Sequence, residues 1–360
     1  MRLPFEPACR PLLLGSLPYR SAAQALDVSR RYAGALLAWP QLPRRRYREA
    51  PLVQAAVGLP GLVVDETARR IVVSRDAVAQ EIDRLALAYL EGNVSYAALG
   101  DDSAAGLWEM LRQRDSVRGA LALKGQCMGP ISVALQLTDE QQRPLIYDGM
   151  LFDALVQLLR LRLAWQERQL RDLNPVTVVC VDEPFLESLG QPFLPLDWDE
   201  ARERIATVFA DVRGCRGIYA AGVPDWGEVL ELETIDLIIA DVAHHGAALV
   251  GAAESLGAFL QHGGVVGLGL APSEPDELAN ATAAALLQRL DRLLEQFAAA
   301  GLEPEQVLRQ AVITPAGPLG WLEPAEAEQA LRLTSEIAAA LRARLGTEAA
   351  VMPKTSSGSR

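Results

Sequence analysis

The sequence predicts an α/β protein folded as a (β/α)8 barrel, with an inserted loop or hairpin after its first strand–helix unit. Three observations carry this expectation. Short apolar runs recur near residues 12, 94, 120, 176, 217, 237, 265 and 311, and each is followed by a stretch with helical spacing. Such alternation implies a parallel sheet, and eight units favour a closed ring over an open doubly wound sheet. No G-x-G-x-x-G or G-x-x-x-x-G-K-[ST] follows the first run, so a nucleotide-binding open sheet has no positive support.

In chain order, Leu12-Leu13-Leu14 reads as a short buried strand ending in the tight loop Gly15-Ser16-Leu17-Pro18. Ser21 to Ala38 then has helical spacing, with Ser21 as its N-cap. From Trp39 to about residue 75 the chain makes an excursion, Pro-rich and without helical period as far as Gly61. Within it, Leu62 to Asp65 and Arg70 to Ser74 can pair as a hairpin. A helix over Asp76 to Glu91 leads back to strand and helix alternation: Val94 to Ala98 as a strand, Ser103 to Arg114 as a helix, Ala120 to Lys124 as a strand. Tyr147 to Leu173 is a long amphipathic helix. Val176 to Val181 follows, near-continuously apolar and β-branched, the pattern of a strand buried on both faces. It ends abruptly in Asp182-Glu183-Pro184.

Later helices are expected over Trp198 to Val212, Trp226 to Glu233, Gly251 to His262, Ala279 to Ala300 and Pro324 to Leu345. Short strands lie between them, and Gly301 and Pro324 sit where C′ and N1 preferences put those residues. Residues 1–346 are thus expected to form a single barrel, and residues 347–360, polar and aperiodic, a disordered tail.

Composition narrows the function classes. Half of the 360 residues are hydrophobic and 22% are charged, which suits a large folded core. A formal net charge of −12 argues against a nucleic-acid partner, which demands clustered cations. The one basic run, Arg44-Arg45-Arg46 with Arg48, reads as a solvated loop or a local anion contact. No segment reaches the roughly 18 uninterrupted apolar residues of a membrane span, and the N-terminus lacks the apolar core of a signal peptide, so a soluble cytoplasmic protein is expected. Cys9, Cys127, Cys180 and Cys215 show no CxxC spacing and read as free buried thiols. The three histidines, His244, His245 and His262, fall in neither His-x-Cys nor HExxH.

In a barrel the C-terminal strand tips line the ligand site. Those tips here are Gly15-Ser16, Tyr96, Lys124 to Gln126, Asp182-Glu183, Tyr219, Asp225-Trp226, Asp241 with His244-His245, and Thr314-Pro315. Ser16, beside backbone N–H groups at Gly15, can hold a carboxylate, and Asp182 an ammonium group; together they suit an α-amino acid. Lys124 and Glu183 are either ligand contacts or each other's ion-pair partner, and Asp182 or Glu183 can equally cap the turn that follows. His244 or His245 is the imidazole nearest a strand end and a candidate acid/base. His262 reads as a helix cap.

Several stretches together, GSLPYRSAAQAL, WPQLP, VGLPGLVVD, LKGQCMGP, VDEPFL, AGVPDW and ITPAGPLG, resemble in order motifs of the cobalamin-independent methionine synthase catalytic barrel. The resemblance covers most of residues 10–345. It implies the (β/α)8 fold shared by that superfamily, with uroporphyrinogen decarboxylases and corrinoid-dependent methyltransferases. It also implies a thiol methyltransferase in which zinc at the barrel mouth lowers the pKa of a homocysteine thiol. The matching amino-acid-binding positions are Gly15 and Ser16 for the carboxylate and Asp182 for the amino group.

The metal positions depart from the family pattern. Tyr219-Ala220-Ala221 stands where the family has His-x-Cys, and Ala316-Gly317 where it has a second Cys; only Asp241 keeps a carboxylate. One carboxylate cannot hold catalytic zinc, which takes about three protein ligands. No cofactor is therefore expected, zinc included. Three functions stay open: a zinc-independent methyltransferase taking a small amino- or carboxylic-acid ligand, with a corrinoid protein as one methyl donor; a non-catalytic ligand-binding or regulatory protein; and a metal-independent lyase or decarboxylase. Catalytic candidates are Glu183, Tyr219, Asp241 and His244. Binding candidates are Gly15, Ser16, Lys124, Gln126, Asp182, Asp225, Trp226 and Thr314.

Overall fold

Among the described residues ten strands form, and in chain order they are β1 (Arg10–Pro11), β2 (Leu36–Ala38), β3 (Leu62–Asp65), β4 (Arg70–Val73), β5 (Ala122–Met128), β6 (Thr177–Glu183), β7 (Cys215–Ala220), β8 (Leu237–Asp241), β9 (Val265–Ala271) and β10 (Ala311–Pro315). The computed structural model describes residues 3–347, so the tail expected over 347–360 lies, apart from Thr347, outside the described residues. Eight strands make one parallel sheet in the order β1-β10-β9-β8-β7-β6-β5-β2, while β3 and β4 pair separately. The two edges meet just past β1 and β2: the Leu17 N–H donates to the Gln41 carbonyl at 2.9 Å and the Gln41 N–H to the Gly15 carbonyl at 3.0 Å. That bridge brings the ring close to closure, and with helices packed outside it the fold is the expected (β/α)8 barrel.

One of the eight expected strands is misplaced, and the first, expected over Leu12–Leu14, forms just before it at Arg10–Pro11. Val94–Ala97 is a 3-10 turn whose cap, Asn93, accepts the Ser95 N–H at 3.2 Å. The second barrel strand is instead β2, which the sequence reading absorbed into the first helix. That helix covers Ala22–Ala33 and stops at Gly34, a residue costly inside a helix. Leu36, Leu37 and Ala38, all buried, then pair with Ala122, Leu123 and Lys124 of β5.

The excursion consequently runs over residues 39–121 rather than 39–75. It contains a short helix, Pro51–Ala56, the β3–β4 hairpin in its expected place, and helices Arg75–Leu90 and Asp101–Arg112. Arg162, fully buried on the helix Gly149–Arg171, fastens it. Its guanidinium donates to the Gln54, Ala55 and Val57 carbonyls at the end of Pro51–Ala56, and to the Ala97 carbonyl at 2.8 Å. One side chain thus satisfies carbonyls that two short helical segments leave open. Burial lowers its pKa to about 10, which leaves it charged at neutral pH.

Side-chain alternation along the strands sorts residues into two sets. Leu12, Leu14, Leu36, Ala122, Val178, Cys180, Cys215, Leu237, Ile239, Val265 and Val312 fill the barrel interior. Their neighbours, such as Val179, Val181, Ile218, Ile238, Leu268 and Ile313, face the helices. Glycine makes room inside: a Cβ on Gly267 would lie 2.7 Å from the Ile239 side chain. Among the described residues no helix is long and apolar enough to cross a membrane. Three of the four arginines of the basic run form ion pairs within the chain, Arg44 with Glu323, Arg45 with Glu49 and Asp101, and Arg48 with Glu66.

Candidate functional site

Toward the C-terminal ends of the strands the inward column changes from apolar to polar. Lys124 and Gln126 continue the inward face of Ala122, Asp182 that of Cys180, Asp241 that of Ile239, and Thr314 that of Val312; Tyr219 is itself part of the interior cluster. Gly15 and Ser16 arrive from the loop after β1. The barrel therefore brings six of the eight expected strand tips to one mouth. The exceptions are Asp225-Trp226, a helix cap and an indole packed outside the sheet, and Tyr96, which sits in the 3-10 turn and donates to the Gly58 carbonyl at 3.2 Å.

On the β1/β2/β5 side these polar groups are saturated by one another. The Lys124 ammonium, 1% exposed, donates to the Leu14 carbonyl at 2.7 Å and to Gln126 Oε1 at 3.1 Å. Gln126 Nε2 donates to the Trp39 carbonyl, Trp39 Nε1 to Gln166 Oε1, and Gln166 Nε2 to the Gln126 carbonyl. Ser16 donates to Gln41 Oε1 at 3.3 Å, Gln41 to Gln54, and Gln54 to the Ser103 carbonyl. Gly15, at φ +136°, passes so close to Gln126 that a Cβ there would lie 2.5 Å from its Cδ. Trp39, Gln41, Gln54, Arg162 and Gln166 were not singled out from sequence. Gln41, set among Trp39, Pro40, Leu42 and Pro43, carried the one available signal, a polar residue in apolar company.

The β6–β8 side is different. Asp182 pairs in register with Tyr219 on β7. Its Oδ1 is buried and has no hydrogen-bond partner among the described residues. Burial pushes its carboxyl up to about 7, against the opposing pull of the Lys124 charge. The Tyr219 hydroxyl, buried and raised in pKa by that burial and by the nearby Asp182 and Asp241 charges, donates to the Ala316 carbonyl at 3.3 Å. Asp241 caps the helix Val242–Gly251, accepting the His244 N–H at 3.1 Å, and its Oδ2 lies 2.7 Å from His244 Nδ1. His244 Nε2 faces both oxygens of Glu277, at 2.8 and 2.7 Å. Burial lowers the His244 pKa, but the bonds and charges of Asp241 and Glu277 outweigh it and the net shift is upward.

Several candidates are occupied by structural duties. Glu183 faces outward with Val179 and Val181, and its carboxylate accepts the Ile131 and Ser132 N–H groups at 3.0 and 2.7 Å, holding the start of the helix Pro130–Gln136. It forms no ion pair with Lys124; burial still lifts its pKa to about 7. Asp225 caps the helix Trp226–Leu230 by accepting the Glu228 N–H, and Trp226 packs in the core outside the sheet. The Thr314 hydroxyl donates to the Pro315 carbonyl at 2.9 Å. His262 ends its helix, with Nδ1 2.7 Å from the Ala258 carbonyl.

The positions that the resemblance assigns to zinc are adjacent, as the Tyr219–Ala316 bond demonstrates, but the side chains there do not fit the ion. A phenol already donating, two alanines and a glycine supply no thiolate or imidazole, and both Asp241 oxygens are engaged by His244. Cys127 faces the helices while His244 stands beyond β8, so the two do not form a substitute pair. Among the described residues no group of three or more His, Cys, Asp or Glu side chains is arranged to hold a metal ion.

The fold recurs in a solved methyltransferase from Methanosarcina mazei. The superposition has a TM-score of 0.55 and covers 92% of this chain and 94% of that one, at 14% sequence identity. At that identity the likeness establishes the architecture alone. A provisionally assigned vitamin-B12-independent methionine synthase from Listeria monocytogenes aligns over 64% of this chain and 68% of its own, at 14% identity and a TM-score of 0.44, too low to carry an argument. No family model matches the chain, and no curated protein sequence matches it.

Proposed function

We propose that this chain is a methionine synthase-like barrel that binds a small amino-acid ligand at its C-terminal mouth without zinc, the ligand's ammonium group resting on Asp182. The observation that carries this reading is the buried Asp182 Oδ1, which lacks a donor while the polar groups of the opposite side have theirs. A buried unpaired carboxylate oxygen is costly, and a ligand ammonium removes that cost. Ser16 would meet the ligand's carboxylate by giving up its 3.3 Å bond to Gln41 in exchange for one to the ligand. Methyl transfer is the reaction that the motif resemblance attaches to such a pocket, and the name of the Methanosarcina neighbour agrees with it.

Titration calorimetry with homocysteine, methionine and a panel of other amino acids tests the reading. At least one is expected to bind, with affinity rising as pH climbs through about 7, where Asp182 ionises and can pair with ammonium. Asp182→Asn should weaken that ligand about tenfold or more. Binding by none of the panel, or binding untouched by Asp182→Asn, would overturn the assignment. Metal analysis of the purified protein and methyl transfer from methylcobalamin to the bound thiol then separate a zinc-free methyltransferase from a binding protein.

A further inference from the structure

The two sides of the mouth differ in charge as well as in bonding. The stretches that follow β6, β7, β8 and β9, residues 184–197, 221–225, 242–252 and 272–282, hold no lysine or arginine, yet carry Glu187, Asp197, Asp225, Glu274, Asp276 and Glu277. Arginines come instead with the stretches after β1 and β2, as Arg20, Arg44, Arg45, Arg46 and Arg48. A zwitterion with its carboxylate at Ser16 and its ammonium group at Asp182 lies along that gradient. A ligand side chain directed on past Asp182, toward β7 and β8, enters a region of acids.

The groups met there are Tyr219, Asp241, His244 and Glu277. Asp182 pairs in register with Tyr219, and Asp241 on β8 lies two strands from Asp182, about 10 Å at the usual strand spacing before either side chain reaches inward. The charges of both aspartates act on the Tyr219 hydroxyl, which sets that phenol between them. His244 meets Asp241 through Nδ1 and both Glu277 oxygens through Nε2. A neutral imidazole donates from one nitrogen only, so a carboxylate at each nitrogen calls for the imidazolium form. Even then the mouth is short of positive charge, because Lys124 and His244 stand against three carboxylates, Asp182, Asp241 and Glu277. Arg289, on the helix Ala283–Ala299 packed outside the sheet, is committed to the Ala243 carbonyl. Glu277 is 43% exposed and receives a single imidazole N–H between its two oxygens, so it keeps acceptor sites to spare.

We propose that the amino acid bound at this mouth carries a second cation, an ammonium or guanidinium group at the end of its side chain, held by Glu277 and Asp241. This rests on the reading of Asp182 as the place of the α-ammonium group. The α-ammonium and α-carboxylate charges of the ligand cancel, so its side-chain cation is the charge that balances the mouth. The same acids repel an anionic side chain such as that of glutamate.

Titration calorimetry of the full chain with lysine, ornithine and arginine, against norleucine and glutamate, tests it at pH 8, above the Asp182 value of about 7. At least one of the dibasic amino acids is expected to bind about tenfold or more tightly than norleucine, and glutamate is expected not to bind. That comparison needs no variant. Glu277→Gln keeps an oxygen for His244 and should cut the preference over norleucine about fivefold or more, with circular dichroism reporting the variant folded. Norleucine or glutamate binding as tightly as the dibasic amino acids would overturn the second cation while the Asp182 reading stands. A preference untouched by Glu277→Gln would overturn its placement. Binding by no amino acid at all would overturn the Asp182 reading itself, and this proposal with it.

Discussion

The two halves of the barrel mouth hold similar side chains in opposite states. On the β1/β2/β5 side, Lys124, Gln126, Ser16 and Gln41 form a closed set of hydrogen bonds that also joins the two sheet edges. On the β6–β8 side, Asp182 is half-buried, yet its Oδ1 is shielded from solvent and has no donor among the described residues. Buried polar groups are normally satisfied, so the first half accounts for itself by closing the ring while the second calls for something further. A polar residue at a barrel mouth is therefore informative only when its partners are counted.

The largest effect expected from this contrast lies at Lys124. Lys124→Met keeps much of the side-chain volume but strips the Leu14 carbonyl and Gln126 Oε1 of their donor and removes the cation that opposes Asp182 desolvation. A loss of about 3 kcal/mol is expected, read from the denaturant midpoint. A loss below about 1 kcal/mol would mean that the network does not hold the seam, and that Lys124 is free to serve a ligand.

The same contrast recurs, on a smaller scale, between two neighbours on β6. Glu183→Ala abandons two N–H groups at a helix start and should cost about 2 kcal/mol. Asp182→Asn should do the reverse at pH 8, raising stability by about 1 kcal/mol, because it removes a carboxylate with an unmet oxygen. The sign follows from linkage. The folded pKa of about 7 lies above the unfolded value of about 3.9, so stability is whole below the latter and is lost as pH rises through the former. The advantage of Asn over Asp should accordingly shrink between pH 8 and pH 5. Denaturant midpoints at both pH values check this, and an Asn variant less stable than the parent at pH 8 would indicate a donor to Asp182 after all.

Much of this arrangement was legible in the sequence, and the failures have physical causes. Seven of the eight strand–helix units were countable, because most strands here are five to seven residues of buried apolar chain. Three residues are too few to show a period, so β2 merged with the helix before it although Gly34 marked the break. Val94 to Ala98 has a strand's composition, but Asn93 turns it into a 3-10 segment, and Tyr96 went with it to the wrong place. The roles of Asp182 and Glu183 could have been separated without coordinates: period-two alternation puts Asp182 with Val178 and Cys180, and Glu183 with Val179 and Val181. The seam network could not, because Gln41, Gln54 and Gln166 come from three distant segments, and only the closing of the ring brings them together.

The smallest effect expected belongs to His244, which fastens the loop after β8 to the one after β9. It is held between Asp241 and Glu277 yet is 30% exposed, so solvent screens both contacts. Its pKa is raised in the folded chain, and its contribution is therefore complete below the unfolded value of about 6.5 and disappears as pH rises through the folded one. His244→Gln keeps the backbone N–H that Asp241 caps, so the variant isolates the imidazole. It should be less stable than the parent by under about 1 kcal/mol at pH 6 and indistinguishable from it at pH 9. This slope is opposite to the one expected for Asp182→Asn, whose difference from the parent grows toward alkaline pH. Two variants at one mouth thus diverge from the parent at opposite ends of the pH range, which distinguishes a carboxylate lacking a partner from an imidazole that has two.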